Sequence, residues 1–135
     1  MLGNHGCYPP NTYSFGNEDC LTSYLGDIWT KYLPQKSIDQ IRVNGAYSVK
    51  HPGSNLKIIV PNTQACYYWN FYLIANNTDP GEQLDFLVNE LKEAEENGES
   101  VYIAGHIPPG NLNCMTLWNE RYNAIVDRYE GIIRG

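Results

Sequence analysis

Two glycine-histidine turns hold the residue types best able to do chemistry: Gly3-Asn4-His5 near the start and Gly105-His106 after an apolar run. An asparagine amide oxygen and an imidazole nitrogen both suit a borderline divalent cation, and imidazole also moves protons near neutral pH. Each turn is expected at the carboxyl end of a strand, where open α/β sheets build their sites. Glycine lets the chain turn sharply there, and Pro108-Pro109 stiffen the exit behind His106. Zinc takes about four ligands per ion, and the sequence has three histidines in all. Asn4, His5 and His106 therefore read as half of a metal site. The same residues also suit an ordinary turn with a hydrogen-bonded Asn and a solvent-facing His. His51, in the polar run His51-Pro52-Gly53-Ser54-Asn55, reads as a plain surface residue.

The elements that must position these turns follow from apolar spacing. Leu21, Tyr24, Leu25, Ile28, Trp29 and Tyr32 recur at helical intervals until Pro34, which predicts a first helix. Asp79-Pro80-Gly81-Glu82 supplies an N-cap, a first-turn proline and a capping-box acid for a second helix carrying Leu84, Leu87, Val88, Leu91 and Ala94. Asn97-Gly98 stops it, and its Glu93, Glu95 and Glu96 read as a solvated face. A third helix starts near Thr116 and carries Trp118, Tyr122, Ile125, Val126, Tyr129 and Ile133 on one side. Strands are expected at 46–50, 56–60 and 101–104, the first two joined as a hairpin by the Pro-Gly turn. Hairpin, helix, strand, helix is the order of an α/β fold with a mixed sheet. The segment 62–77 reads as irregular and aromatic, draped over one end of the sheet.

At 135 residues the chain holds at most one domain. A formal net charge of -6 without a basic stripe argues against nucleic-acid binding. No apolar run reaches the roughly 20 residues that span a bilayer, and Met1-Leu2-Gly3 does not open a signal peptide. Four cysteines and the sequon Asn76-Asn77-Thr78 point to an oxidising, glycosylating compartment, so Asn76 is a candidate glycan site. The eleven tyrosines suit half-buried surfaces and amphipathic partners as well as ordinary core packing.

Gly3-Asn4-His5 and Gly105-His106-Ile107-Pro108-Pro109-Gly110, together with Asn76-Asn77-Thr78-Asp79-Pro80-Gly81-Glu82, resemble sequence blocks of the calcineurin-like metallophosphoesterases, and among them the acid sphingomyelinases. The resemblance covers essentially the whole chain. It implies a C-terminal portion, residues 1–135, of a four-layer α-β-β-α sandwich with a mixed sheet, incomplete at both ends. It implies a zinc-dependent phosphodiesterase cleaving sphingomyelin into ceramide and phosphocholine at a membrane or lipoprotein surface. Asn4 and His106 would be ligands to one of two zinc ions, and His5 the catalytic histidine acting at the leaving group. Further ligands would lie outside the chain. Cys66 and Cys114 fall where the family carries a disulfide, while Cys7 and Cys20 pair or stay free. Gly6 departs from the family, which has an acid there to orient the histidine. The aromatic run Tyr67 to Tyr72 would help admit a lipid or its choline head. The implied location is secreted or lysosomal, with the signal upstream. A nucleotide-cleaving relative of the same fold and a secreted, disulfide-bearing binding module without catalysis are the alternatives.

Overall fold

The computed structural model describes residues 1–16 and 20–135, Cys20 by its backbone alone. The pairing of Cys7 with Cys20 falls outside the described residues. Four helices and three strands follow one another as α1 (Cys20–Trp29), α2 (Gln35–Asn44), β1 (Tyr47–Lys50), β2 (Leu56–Val60), α3 (Gln83–Glu96), β3 (Ser100–Ile103) and α4 (Thr116–Arg128). The sheet is small and mixed, in the order β1-β2-β3. β1 runs antiparallel to β2 from Tyr47 opposite Val60 to Lys50 opposite Lys57, and His51 at their turn is exposed. β2 and β3 are parallel, Leu56 opposite Ser100 and Ile59 opposite Ile103, with α3 as the crossover.

The start of α3 and the residues after α4 differ from expectation, while Asn97-Gly98 ends α3 as read. Asp79 does cap α3, but across a kink: Gly81 and Glu82 are left-handed, and the Asp79 carboxylate accepts from the N–H groups of Leu84 and Asp85 at 2.9 and 3.2 Å. Glu82 thus forms no capping box. Burial outweighs those N–H bonds and pushes the Asp79 carboxyl above the usual range. α4 stops at Arg128, and Ile133 lies beyond it, bridged to Val101 in parallel. The Val101 N–H donates to Ile132 and the Ile103 N–H to Gly135, each at 2.8 Å, so 132–135 flank β3.

The spacing rule missed α2. With only Ser37, Ile38 and Ile41 buried among its ten residues, it offers almost no stripe. Its signals are its boundaries, Pro34 at the start and Gly45 at the end, where the Gly45 N–H closes on Ile41. The stripe read for α1 is only partly a core face. Thr22 and Gly26 are buried, whereas Tyr24 and Tyr32 stand in solvent. α1 packs on α2 through Gly26 because a side chain there would meet Arg42, which pairs with Asp27.

One core joins Ile59 and Val101 to Leu87, Leu91 and Ala94 of α3 and to Tyr129. A second, nearer the turns, holds Ala65, Leu84, Ile107 and Trp118 around the Cys66–Cys114 disulfide. The glutamates of α3 are not merely solvated. Lys57 of β2, buried, reaches Glu90 at 2.6 Å and Glu93 at 2.7 Å, and Arg128 pairs with Glu95 at 3.0 Å. Burial works against the Lys57 ammonium, but its bonds to Glu90 and Glu93 win and hold its pKa above the ordinary value. The same bond, with one from Lys36, holds Glu93 below its own.

Candidate functional site

The first turn is tighter than a strand end. Residues 1–3 form no strand; the Gly6 N–H closes on the Gly3 carbonyl at 2.9 Å, with Asn4 and His5 between. A side chain at position 6 would begin 3.1 Å from that carbonyl, so the turn is fitted around glycine where the resembling family has an acid. The chain then loops back, and the Asn11 N–H donates to the Asn4 carbonyl at 2.8 Å.

The second turn follows β3 as expected. Thr63, buried beyond β2, accepts from the backbone N–H groups of both His106 and Ile107, at 3.0 and 2.8 Å. A Cβ on Gly105 would sit 2.7 Å from the Thr63 methyl carbon, so only glycine lets the two loops close. Behind it lies a cleft of about 200 Å³ between Thr63, Gly105, Pro108 and Tyr122. That is smaller than the 300 Å³ or so at which small-molecule sites begin.

The two turns meet. Asn4 Oδ1 faces His106 Nε2 at 2.8 Å, and a Cβ on Gly3 would press within 3.2 Å of the same imidazole. The Asn4 amide is held from its other end: Nδ2 donates to Asn11 Oδ1 at 2.9 Å and to the Tyr67 hydroxyl at 3.4 Å. With Nδ2 so engaged, Oδ1 is the atom presented, and the His106 Nε2–H donates to it. An amide oxygen and an imidazole nitrogen are atoms with which these side chains could hold a cation, once Nε2 gives up the proton it donates to Oδ1. Among the described residues no three His, Cys, Asp or Glu side chains gather to complete such a site.

His5 stands apart from the pair. Its side chain is exposed, and no hydrogen bond among the described residues engages it. Around the pair the backbone is stapled: Cys66 and Cys114 are bonded, the Met115 N–H donates to Cys66 at 2.8 Å, and the Tyr68 N–H to Asn113 at 2.8 Å. The segment read as irregular is thereby half core, since 61–66 are all buried, and half exposed aromatic loop. Asn76 is exposed, its Oδ1 taking the Thr78 N–H at 3.2 Å in an Asx turn. Sequence reasoning missed Asn11, Thr63 and Tyr67. Each is an ordinary loop residue by spacing, and its role exists only through a partner far along the chain.

No protein-family model matches the chain. Individual relatives do. It is 37% identical over 140 residues, 99% of its length, to the sphingomyelin phosphodiesterase of Bos taurus. The chain matches part of an acid sphingomyelinase-like protein. It is 36% identical, over 98% of its length, to sphingomyelin phosphodiesterase 2 of Caenorhabditis elegans, and 32%, over 99%, to the human acid sphingomyelinase-like phosphodiesterase 3b. The chain spans about a fifth of the first two relatives, 22% of each, and 31% of the third. The acid sphingomyelinase-like match runs through both turns and the loops between them.

Proposed function

We propose that residues 1–135 are part of the catalytic domain of a zinc-dependent sphingomyelin phosphodiesterase, contributing one edge of a dinuclear site within a four-layer α-β-β-α sandwich. The observation that carries this reading is the meeting of Asn4 Oδ1 and His106 Nε2 at 2.8 Å from turns 102 residues apart. Asn4 and His106 would hold one zinc; the other ligands belong to segments outside these residues. Zinc when bound supplies Lewis-acid charge against the phosphoryl oxygens. Asn11 and Tyr67 keep the amide oxygen of Asn4 turned toward the site, and Thr63 fixes the backbone from which His106 projects. His5, exposed on the same turn, is free to reach the leaving alkoxide and protonate it as a water oxygen takes its place on phosphorus, giving ceramide and phosphocholine. Without an acid at position 6, His5 depends on substrate for its orientation.

The relatives' names support sphingomyelin as the phosphodiester substrate; that lipid belongs to a membrane or lipoprotein surface, and the disulfide and the exposed sequon at Asn76 suit a secreted or lysosomal, glycosylated protein. A nucleotide phosphodiesterase is the second reading, favoured by 32% identity over 99% of the chain to a cyclic GMP-AMP phosphodiesterase of Rattus norvegicus. Hydrolysis of a sphingomyelin analogue by the longer parent decides between them. His106→Ala should abolish turnover and lower zinc content, and His5→Ala should lower kcat with zinc retained. Wild-type turnover by His106→Ala would defeat the assignment, and turnover of nucleotides alone would select the second reading.

A further inference from the structure

None of the chain's Lys, Arg, Asp or Glu lies in residues 1–16, 61–78 or 104–119, the three stretches that build the Asn4–His106 pair. A phosphoryl oxygen arriving there meets no lysine or arginine from these loops. What they offer it besides imidazole and a bound cation is neutral hydrogen-bond donors. Two neutral side chains border the Asn4 amide. Asn11 Oδ1 accepts from Asn4 Nδ2 at 2.9 Å, within the ordinary range, and is the bond that orients the amide. The Tyr67 hydroxyl accepts from the same nitrogen at 3.4 Å, beyond that range, and adds little to the hold. A tyrosine hydroxyl also has one proton to give. Because Asn4 Nδ2 is itself a donor, that proton points elsewhere, and no group among the described residues accepts it.

We propose that the Tyr67 hydroxyl donates a hydrogen bond to a non-bridging phosphoryl oxygen of the bound phosphodiester, as a catalytic residue of the site. Nδ2 and Oδ1 of Asn4 share one carbon, so the hydroxyl stands an amide's width from the atom that would hold the cation. It is also fixed before substrate arrives. The Tyr67 ring packs against the core around the Cys66–Cys114 disulfide, its N–H donates to Gln64 at 3.2 Å, and its backbone bridges to Cys114. A donor held in this way stabilises charge growing on the phosphoryl oxygens without having to reorganise. Tyr67 keeps its proton throughout, and His5 supplies the one for the leaving alkoxide. The role rests on the phosphodiesterase reading above but on neither substrate in particular, since sphingomyelin and a nucleotide phosphodiester present the same oxygens. Nor does it depend on which segments complete the site. Phosphorus must reach the cation held by Asn4 Oδ1, so the space beside that amide has to admit it.

The test is Tyr67→Phe in the longer parent, which keeps the ring and its packing. Inorganic phosphate, titrated calorimetrically into each protein, should bind the variant about tenfold more weakly. Zinc content and thermal unfolding should not change, because Asn11 still holds Asn4. Turnover should fall about a hundredfold in kcat, with KM raised less than tenfold. Equal phosphate affinity in the two proteins, or a wild type that takes no phosphate, would overturn the proposal. A variant that unfolds earlier with phosphate affinity intact would overturn it as well, by giving the proton to an acceptor within the parent, and so would loss of zinc, by making the hydroxyl a support for Asn4 alone. A wild-type parent that binds phosphate without zinc or turnover would defeat the phosphodiesterase reading, and the two phosphate affinities would still decide the donor.

Discussion

Thr63→Val should loosen the His106 turn at a cost that can be worked out atom by atom. The substitution keeps the volume of a side chain only 2% exposed and removes one oxygen. That oxygen accepts two backbone N–H groups, from His106 at 3.0 Å and Ile107 at 2.8 Å. Ile107 is buried, so its N–H loses its partner with no water to replace it, at about 1–3 kcal/mol. His106 is exposed, and its N–H recovers part of the loss from solvent, leaving about 1 kcal/mol. The total is about 2–4 kcal/mol, a large share of a small domain's 5–15 or so. Thr63→Ser keeps the oxygen and gives up only the methyl against Gly105, about 1 kcal/mol. Urea unfolding at constant m-value reads both variants, and amide exchange at Ile107 reports the turn directly. A Val variant within about 0.5 kcal/mol of wild type, or a Ser variant as damaged as the Val one, would refute the reasoning.

Asn11→Leu should free the Asn4 amide to rotate and weaken zinc binding by the parent about 10–100-fold, while Asn11→Asp, which keeps the accepting oxygen, should retain it; isothermal titration distinguishes them. Replacing Cys66 and Cys114 by serine opens a closed span of 48 residues and should cost about 4 kcal/mol by chain entropy, measured by thermal unfolding against a reducing control. The Lys57 pair predicts a two-sided pH profile. The lowered pKa of Glu93 contributes stability that is full above its ordinary 4.5 and lost as pH falls below that through the lowered value, and the raised pKa of Lys57 contributes stability that is full below its ordinary 10.5 and lost as pH rises above that through the raised value. Asp79, its carboxyl raised by burial, acts in the opposite sense, its cost vanishing in acid. Lys57→Met should shrink the alkaline limb of a urea-unfolding series, to which buried Tyr47 and Tyr122 still contribute, and, by leaving buried Glu90 with Gln40 and no cation, cost about 3–5 kcal/mol.

How much of this was legible in the sequence depended on range. β2 begins and ends where its Leu56-to-Val60 run does, and α3 shows its Leu84, Leu87 and Leu91 stripe openly, because strands and amphipathic helices write their period into neighbouring residues. α2 left no such trace: Ser37 and two isoleucines suffice to anchor a ten-residue helix against its neighbours, and only Pro34 and Gly45 announce it. In α1 the apolar stripe pointed to Tyr24 and Tyr32, whereas close packing on α2 selected the small residues Thr22 and Gly26. The turns carrying Asn4 and His106, whose side chains meet, were readable from their glycines. Asn11, Tyr67 and Thr63 were not, since hydrogen bonds across 7, 63 and 43 residues have no period.

The bond between Asn4 and His106 also bears on how the molecule is made. It spans 102 residues, so it can form only after the hairpin, the α3 crossover and β3 have all settled. A cation gripped by both side chains would therefore bind the finished fold and not its precursors, and at a hundredfold excess over its dissociation constant would add about 2.7 kcal/mol to stability. Supply of that cation in the folding compartment would then set how much folded chain survives there. A chelator would shorten the protein's lifetime before it touched its chemistry.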